Sequence, residues 1–302
     1  MRAYWVLCGC LSLGCGGSEF EAGGPDAGGG TGGGADAASG GSAGVGGSAG
    51  NAGAAGSAGA AGSAGAGGSA APISIVQVTD IDIDDNVEAQ VSFLQQPTPG
   101  NAVIVGISCF SEVENCKIQP NGVSDNQGNS YQRVVEGETI PSAGTHGARG
   151  YIFVAENVTS GVSDPFTVSA DLVGGPPGNY QSVTWGMIEV AGLLPTGSVD
   201  QTGTSPMQAQ ASTQAATDAA ISQANSLAVA LITLRSSDPD VNLSHESGWT
   251  QHHVLTNGES IGLPHSFVSR VTSAAGVVSH TWTHDVPTRG ASAVIATFVG
   301  LQ

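Results

Sequence analysis

Basic side chains are what this 302-residue chain most conspicuously lacks: Lys and Arg total 7 against 25 Asp and Glu, a formal charge of −18. Arg2 and four acids, Glu19, Glu21, Asp26 and Asp36, precede residue 72, so residues 72–302 hold 6 basic against 21 acidic side chains, a formal −15. A charge of that sign repels phosphate backbones and argues against nucleic acid as a partner. It also makes calcium a plausible companion. Cysteine is scarce beyond the N-terminus, where Cys8, Cys10 and Cys15 cluster; only Cys109 and Cys116 lie further on, too few for a structural zinc site. The apolar stretch from Ala3 to Leu13 is shorter than the roughly 20 residues that cross a bilayer. Between residues 21 and 71 aromatic residues are absent and Val45 is the one larger aliphatic side chain, which excludes a packed core there.

What is present falls into three segments. Met1 and Arg2 begin a short positive region, Ala3 to Leu13 forms an apolar core, and Leu13-Gly14-Cys15 follows. This arrangement resembles the signal peptide and lipobox of bacterial lipoproteins, in which the chain is cleaved before the cysteine and the cysteine is acylated. The resemblance implies lipidation at Cys15, with residues 1–15 as the signal. Leu7-Cys8-Gly9-Cys10 is a shorter match of the same kind, and an ordinary secretion signal is the alternative. Gly16 and Gly17 supply no acidic retention signal, which in double-membrane bacteria implies the outer membrane and display at the cell surface. Residues 16–71 are mostly Gly, Ala and Ser, with a glycine at every third position from Gly41 to Gly68. A collagen triple helix needs proline at the intervening positions, and none stands there. The segment is therefore expected to be a disordered linker with a root-mean-square reach of roughly 40 Å.

Residues 72–302 are expected to form one all-β domain. Runs rich in Val, Ile, Thr and aromatics recur at 73–79, 102–109, 130–135, 150–155, 166–170, 182–190, 226–234, 248–254, 265–272, 277–283 and 291–299, separated by Gly, Pro, Asn and Asp. That spacing suits a two-layer antiparallel β-sandwich of the jelly-roll or immunoglobulin-like kind. Residues 207–223 are rich in Ala and Gln but lack an apolar stripe, and read as exposed strand and loop, with a short helix as the alternative. In an exported protein Cys109 and Cys116 are expected to form a disulfide. Pro99-Gly100-Asn101, the turn from Asp125 to Tyr131, Glu189-Val190-Ala191-Gly192, Asn225-Ser226-Leu227, Gly248-Trp249-Thr250 and Ala296-Thr297-Phe298 resemble landmarks of a β-sandwich module that recurs in exported bacterial proteins without an assigned activity. The resemblance implies a fold and transfers no catalytic residue.

Three groups of residues invite chemistry. Gly258-Glu259-Ser260-Ile261-Gly262 matches the nucleophile elbow of α/β-hydrolases, but that elbow works between a strand and a helix, and here it lies between two expected strands. Asp80, Asp82 and Asp84 fall on one strand face, where three carboxylates repel unless a cation such as calcium relieves them; a solvated, charge-guarded edge is the plainer reading. His280, Trp282 and His284 alternate onto one face of another strand. With Asp285 or Glu246 the imidazoles could hold a transition metal, and an exposed indole between polar groups could stack a sugar ring; burial of Trp282 in the core is the plainer alternative. Taken together, these features lead to the expectation of a lipid-anchored, non-catalytic surface module that binds extracellular glycan or a surface protein. A structural envelope component is the second reading. An exported polysaccharide hydrolase or lyase, with carboxylates such as Glu189 lining a concave sheet, is the third.

Overall fold

A computed structural model describes residues 72–81, 90–111, 116–138, 148–173, 181–205, 211–235, 241–255, 263–285 and 290–302, all within one compact unit. Cys15, the Gly/Ala/Ser segment, Asp82, Asp84 and Ser260 lie outside the described residues, as does the side chain of Asp80.

The described residues contain sixteen strands and no helix: β1 (Ser74–Ile81), β2 (Gln90–Ser92), β3 (Ala102–Ser111), β4 (Lys117–Asp125), β5 (Gln132–Glu138), β6 (Arg149–Ala155), β7 (Thr167–Val173), β8 (Gln181–Ala191), β9 (Val199–Thr204), β10 (Ser212–Ala216), β11 (Leu227–Arg235), β12 (Leu243–His245), β13 (Thr250–Leu255), β14 (His265–Val271), β15 (Ser279–His284) and β16 (Gly290–Phe298). They form four antiparallel sheets ordered β1-β8-β3-β6-β5, β2-β7-β4, β13-β14-β11-β16-β9 and β10-β15-β12. Adding eight to each strand number of the first pair of sheets reproduces the second pair. The chain thus contains one eight-stranded sandwich twice, as β1–β8 and β9–β16, each with a five-stranded inner and a three-stranded outer sheet. The expected two-layer sandwich is present, but as two copies stacked in four layers.

The two inner sheets pack face to face. Ile104, Ile152, Ile188 and Val190 of the first half meet Val229, Leu231, Phe267, Val294 and Phe298 of the second in one central core. Each inner sheet also buries its other face against its outer sheet. Val103, Val105, Tyr151 and Trp185 pack on Phe93, Ile118 and Val168 in the first half. Ala230, Ile232, Val268 and Ile295 pack on Ala215 and Trp282 in the second. Strands covered on both faces have no solvent side to mark with polar residues. This is why β11 reads Leu-Ala-Val-Ala-Leu-Ile-Thr-Leu and is buried along its whole length.

The halves are related by a pseudo-twofold axis along the strands, between β3 and β11. Strand registers align Ala102 with Leu227, Ser108 with Thr233 and Phe110 with Arg235. Two of these matched pairs touch across the axis: the Ser108 and Thr233 hydroxyls lie 2.5 Å apart, and the Arg235 guanidinium lies 4.8 Å from the Phe110 ring centroid. Gly100, at φ 93°, and Asn225, at φ 57°, occupy matched left-handed positions just before β3 and β11. Odd-numbered strands therefore end at one pole of the molecule and even-numbered strands at the other. The first strand, β1, starts at the pole where even-numbered strands end, here called the stem pole; the opposite one is the far pole.

The duplication is not symmetric where the halves meet. Gly106 and Gly186 are cross-strand partners, and a methyl on either would lie 2.7 Å from the Phe267 ring. Gly137 and Gly150 are likewise partners, and methyls there would meet Ser292 and Val294, and Thr233, respectively. The first half supplies glycine notches and the second supplies the bulk that fills them.

Candidate functional site

The second half concentrates the histidines: six of the seven lie in it, and His146 lies outside the described residues. Four of the six form two clusters, His284 ends β15, and His252 on β13 stands with Nε2 2.6 Å from Ser269 Oγ.

The first cluster lies on the pseudo-twofold axis near the far pole. Ser108 Oγ stands 2.5 Å from Thr233 Oγ1 and 2.7 Å from His265 Nδ1. The His253 ring meets His265 edge-on, centroids 5.0 Å apart. A serine hydroxyl on an imidazole is the contact a nucleophile makes with its base. Here Ser108, Thr233 and His265 are all fully buried between the two inner sheets, so a substrate has no approach. Burial, and then the neighbouring His253, hold the His265 ring well below the usual histidine range, so it is neutral. The cluster fastens the halves to each other.

The second cluster joins β12, β13, β14 and β15 toward the stem pole. His280 is fully buried, its ring edge-on to Trp282 at 4.2 Å and tilted against Trp249 at 4.5 Å. His245 lies 5.7 Å away, and Arg270 stacks 4.8 Å from the Trp249 centroid. Burial, and after it the neighbouring His245 and Arg270, lower the His280 pKa to about 3. Neither His280 nitrogen has a hydrogen-bond partner. A buried polar atom left unsatisfied costs about 1–3 kcal/mol.

His280, Trp282 and His284 do share a face of β15, but it is the face turned into the core: Trp282 is fully buried and donates from Nε1 to Ser266 Oγ at 3.2 Å. A buried indole offers no platform for a sugar ring, which corrects the expectation of an exposed stacking surface. His280 and His284 stand at opposite ends of β15, four residues and so about 13 Å apart, and cannot share an ion. Asp285 is separate again: its carboxylate accepts from the Asn242 backbone N–H at 2.9 Å and from Asn242 Nδ2. The residue that does approach His280 is His245, which the sequence reading does not single out. It sits on a three-residue strand, paired with Trp282 across the sheet, and carries no periodic signal.

Glu189 does not line a cleft. It is 1% exposed and accepts from Gln77 Nε2 at 2.6 Å, the Thr98 backbone N–H at 2.8 Å and Asn101 Nδ2 at 2.5 Å. These bonds hold the turn before β3 to β8, so Asn101 and Glu189, separate landmarks in the sequence, are one structural unit. Cys109 and Cys116 form the expected disulfide, Cα atoms 5.9 Å apart, at the far end of β3. Nearby, Arg149 pairs with Glu136 and, at 2.6 Å, with Glu138, while Arg133 reaches Glu136 at 2.8 Å. A pocket of about 270 Å³ is lined by the turn joining β14 to β15, including Arg270, Thr272, Ser273 and Val277. Among the described residues no group of three or more His, Cys, Asp and Glu side chains is placed to hold a metal.

No family model, curated protein or solved structure matches the chain.

Proposed function

We propose that this protein is a lipid-anchored recognition module of the cell surface: acylated at Cys15, exported to the outer membrane, and held off it by the Gly/Ala/Ser stem. In this reading the stacked sandwich is non-catalytic and binds extracellular glycan or another surface protein. The observation that carries it is the β module itself, whose far pole gathers polar strand ends beside the Cys109–Cys116 disulfide. The far pole carries the Arg149–Glu136–Glu138 charge cluster, Asp285 with Asn242, and the Cys109–Cys116 crosslink. Polar groups on rigid strand ends suit recognition without rearrangement. A disulfide also suits an oxidising, exported location.

Two measurements test it. Mass spectrometry of the N-terminal peptide, from a double-membrane bacterium expressing the full chain, is expected to show a lipid-modified Cys15; an unmodified peptide starting elsewhere contradicts the anchor. The far pole's role is read from glycan and envelope binding by an Arg149→Ala, Glu138→Ala variant, expected to weaken binding while the fold persists. Undiminished binding would move the recognition surface elsewhere.

A further inference from the structure

We propose that His245 and His280 together form a binding site for a divalent transition-metal ion of the zinc and copper class, completed by solvent. The fully buried His280 ring has two nitrogens and no hydrogen-bond partner for either, so at least one lone pair is unused inside the protein. The neighbouring ring is fixed in the complementary way. His245 Nδ1 stands 3.0 Å from the Glu246 carbonyl, which can only accept, so Nδ1 carries the proton and Nε2 keeps its lone pair. A backbone carbonyl on the far nitrogen is the usual support of a metal-ligating histidine: it sets the tautomer and aims the other nitrogen.

The spacing agrees. Two imidazoles bound to one ion at about 2.0–2.1 Å per nitrogen, with a tetrahedral angle between them, place their ring centroids roughly 5–6 Å apart. The observed separation is 5.7 Å. Trp249 and Trp282 wall the His280 ring, while His245 is only partly buried and leaves a side open to water. Imidazole ligands favour Zn²⁺ and Cu²⁺ over Mg²⁺ or Ca²⁺, which take oxygen. Two imidazoles are fewer ligands than a structural zinc centre uses, and Arg270 opposes a cation nearby. The site is thus an open one that exchanges its ion with solution.

Two of the four tryptophans, Trp249 and Trp282, lie against His280, so bound copper quenches their emission. Titrating the full chain with Cu²⁺ is expected to give saturable quenching at one ion per chain, reversed by excess Zn²⁺ and untouched by Mg²⁺. His245→Ala, on a partly buried ring, is expected to abolish the saturable phase without changing the urea midpoint. His280→Phe, which keeps the packing between the two indoles, is expected to abolish the saturable phase as well. Non-saturating quenching of the wild type overturns the proposal. So does saturable quenching that survives in both variants, because the ion then sits at another histidine.

Discussion

Phe267 rests its ring on the backbone of two glycines, Gly106 and Gly186, at the centre of the contact between the halves. Adding a methyl at either position forces the ring or the strands apart, and overpacking of this kind costs about 1–3 kcal/mol. Gly106→Ala is therefore expected to lower the urea unfolding midpoint, and Phe267→Leu in the same chain to recover part of the loss. The histidines set a second residue-scale behaviour. An unfolded histidine titrates near 6.5, whereas burial holds His280 at about 3 and His252 at about 4. Between those values and 6.5 the unfolded chain binds protons that the folded chain does not, so stability falls as pH drops below about 6.5 and levels off once the folded values are passed. Above that range these rings are neutral in both states and contribute nothing. Each such ring can contribute at most about 1.4 kcal/mol per pH unit. Urea midpoints measured from pH 7.5 to 4.5 are expected to decline, and His280→Phe to flatten the decline; an unchanged slope contradicts the assignment.

At the scale of elements, legibility follows burial. The inner strands β3, β8, β11 and β16 stand out as apolar runs, because both of their faces are covered. The strands that form no distinct run in the sequence are β2, β4, β9, β10 and β12, all at sheet edges and several only three to six residues long. β10 reads Ser-Thr-Gln-Ala-Ala: it needs only two buried positions, and its pairing with β15 is supplied from far along the chain. It lies within 207–223, where exposed strand and loop are expected. The site is less legible for the same reason, since His245 meets His280 through strand pairing that no local pattern encodes. Two bracing features at this scale can be weighed. Glu189→Ala removes three hydrogen bonds between β8 and the segments around it, and is expected to cost about 2–3 kcal/mol, read as a lower urea midpoint. Reducing the Cys109–Cys116 disulfide releases a loop closed over a sequence separation of 7 and is expected to cost about 2–3 kcal/mol, measured by denaturation with and without reductant.

At the scale of the whole molecule, the duplication stays hidden in sequence because the matched inner faces have diverged into complements. Where the first half has Gly106 and Gly186, the registers place Leu231 and Val294 in the second. The long apolar run of β11, like that of β16, is the signal of burial on both faces, hence of more than two layers. A half on its own would expose Leu231, Phe267, Val294 and Phe298 to water. Residues 72–302 are accordingly expected to unfold in one cooperative transition, with calorimetric and van't Hoff enthalpies equal, and residues 199–302 alone to aggregate or remain unfolded. Two separate transitions would mean that the halves are independent.

The proposed recognition at a cell surface is tested by a thermal-shift screen of the purified protein against extracellular polysaccharides, peptidoglycan fragments and isolated outer-membrane proteins, with Ca²⁺ and EDTA arms. Binding to the folded state raises the unfolding midpoint by mass action. A concentration-dependent rise with one glycan or surface protein is the predicted result. A flat response across the panel would contradict the recognition reading and leave a structural role in the envelope.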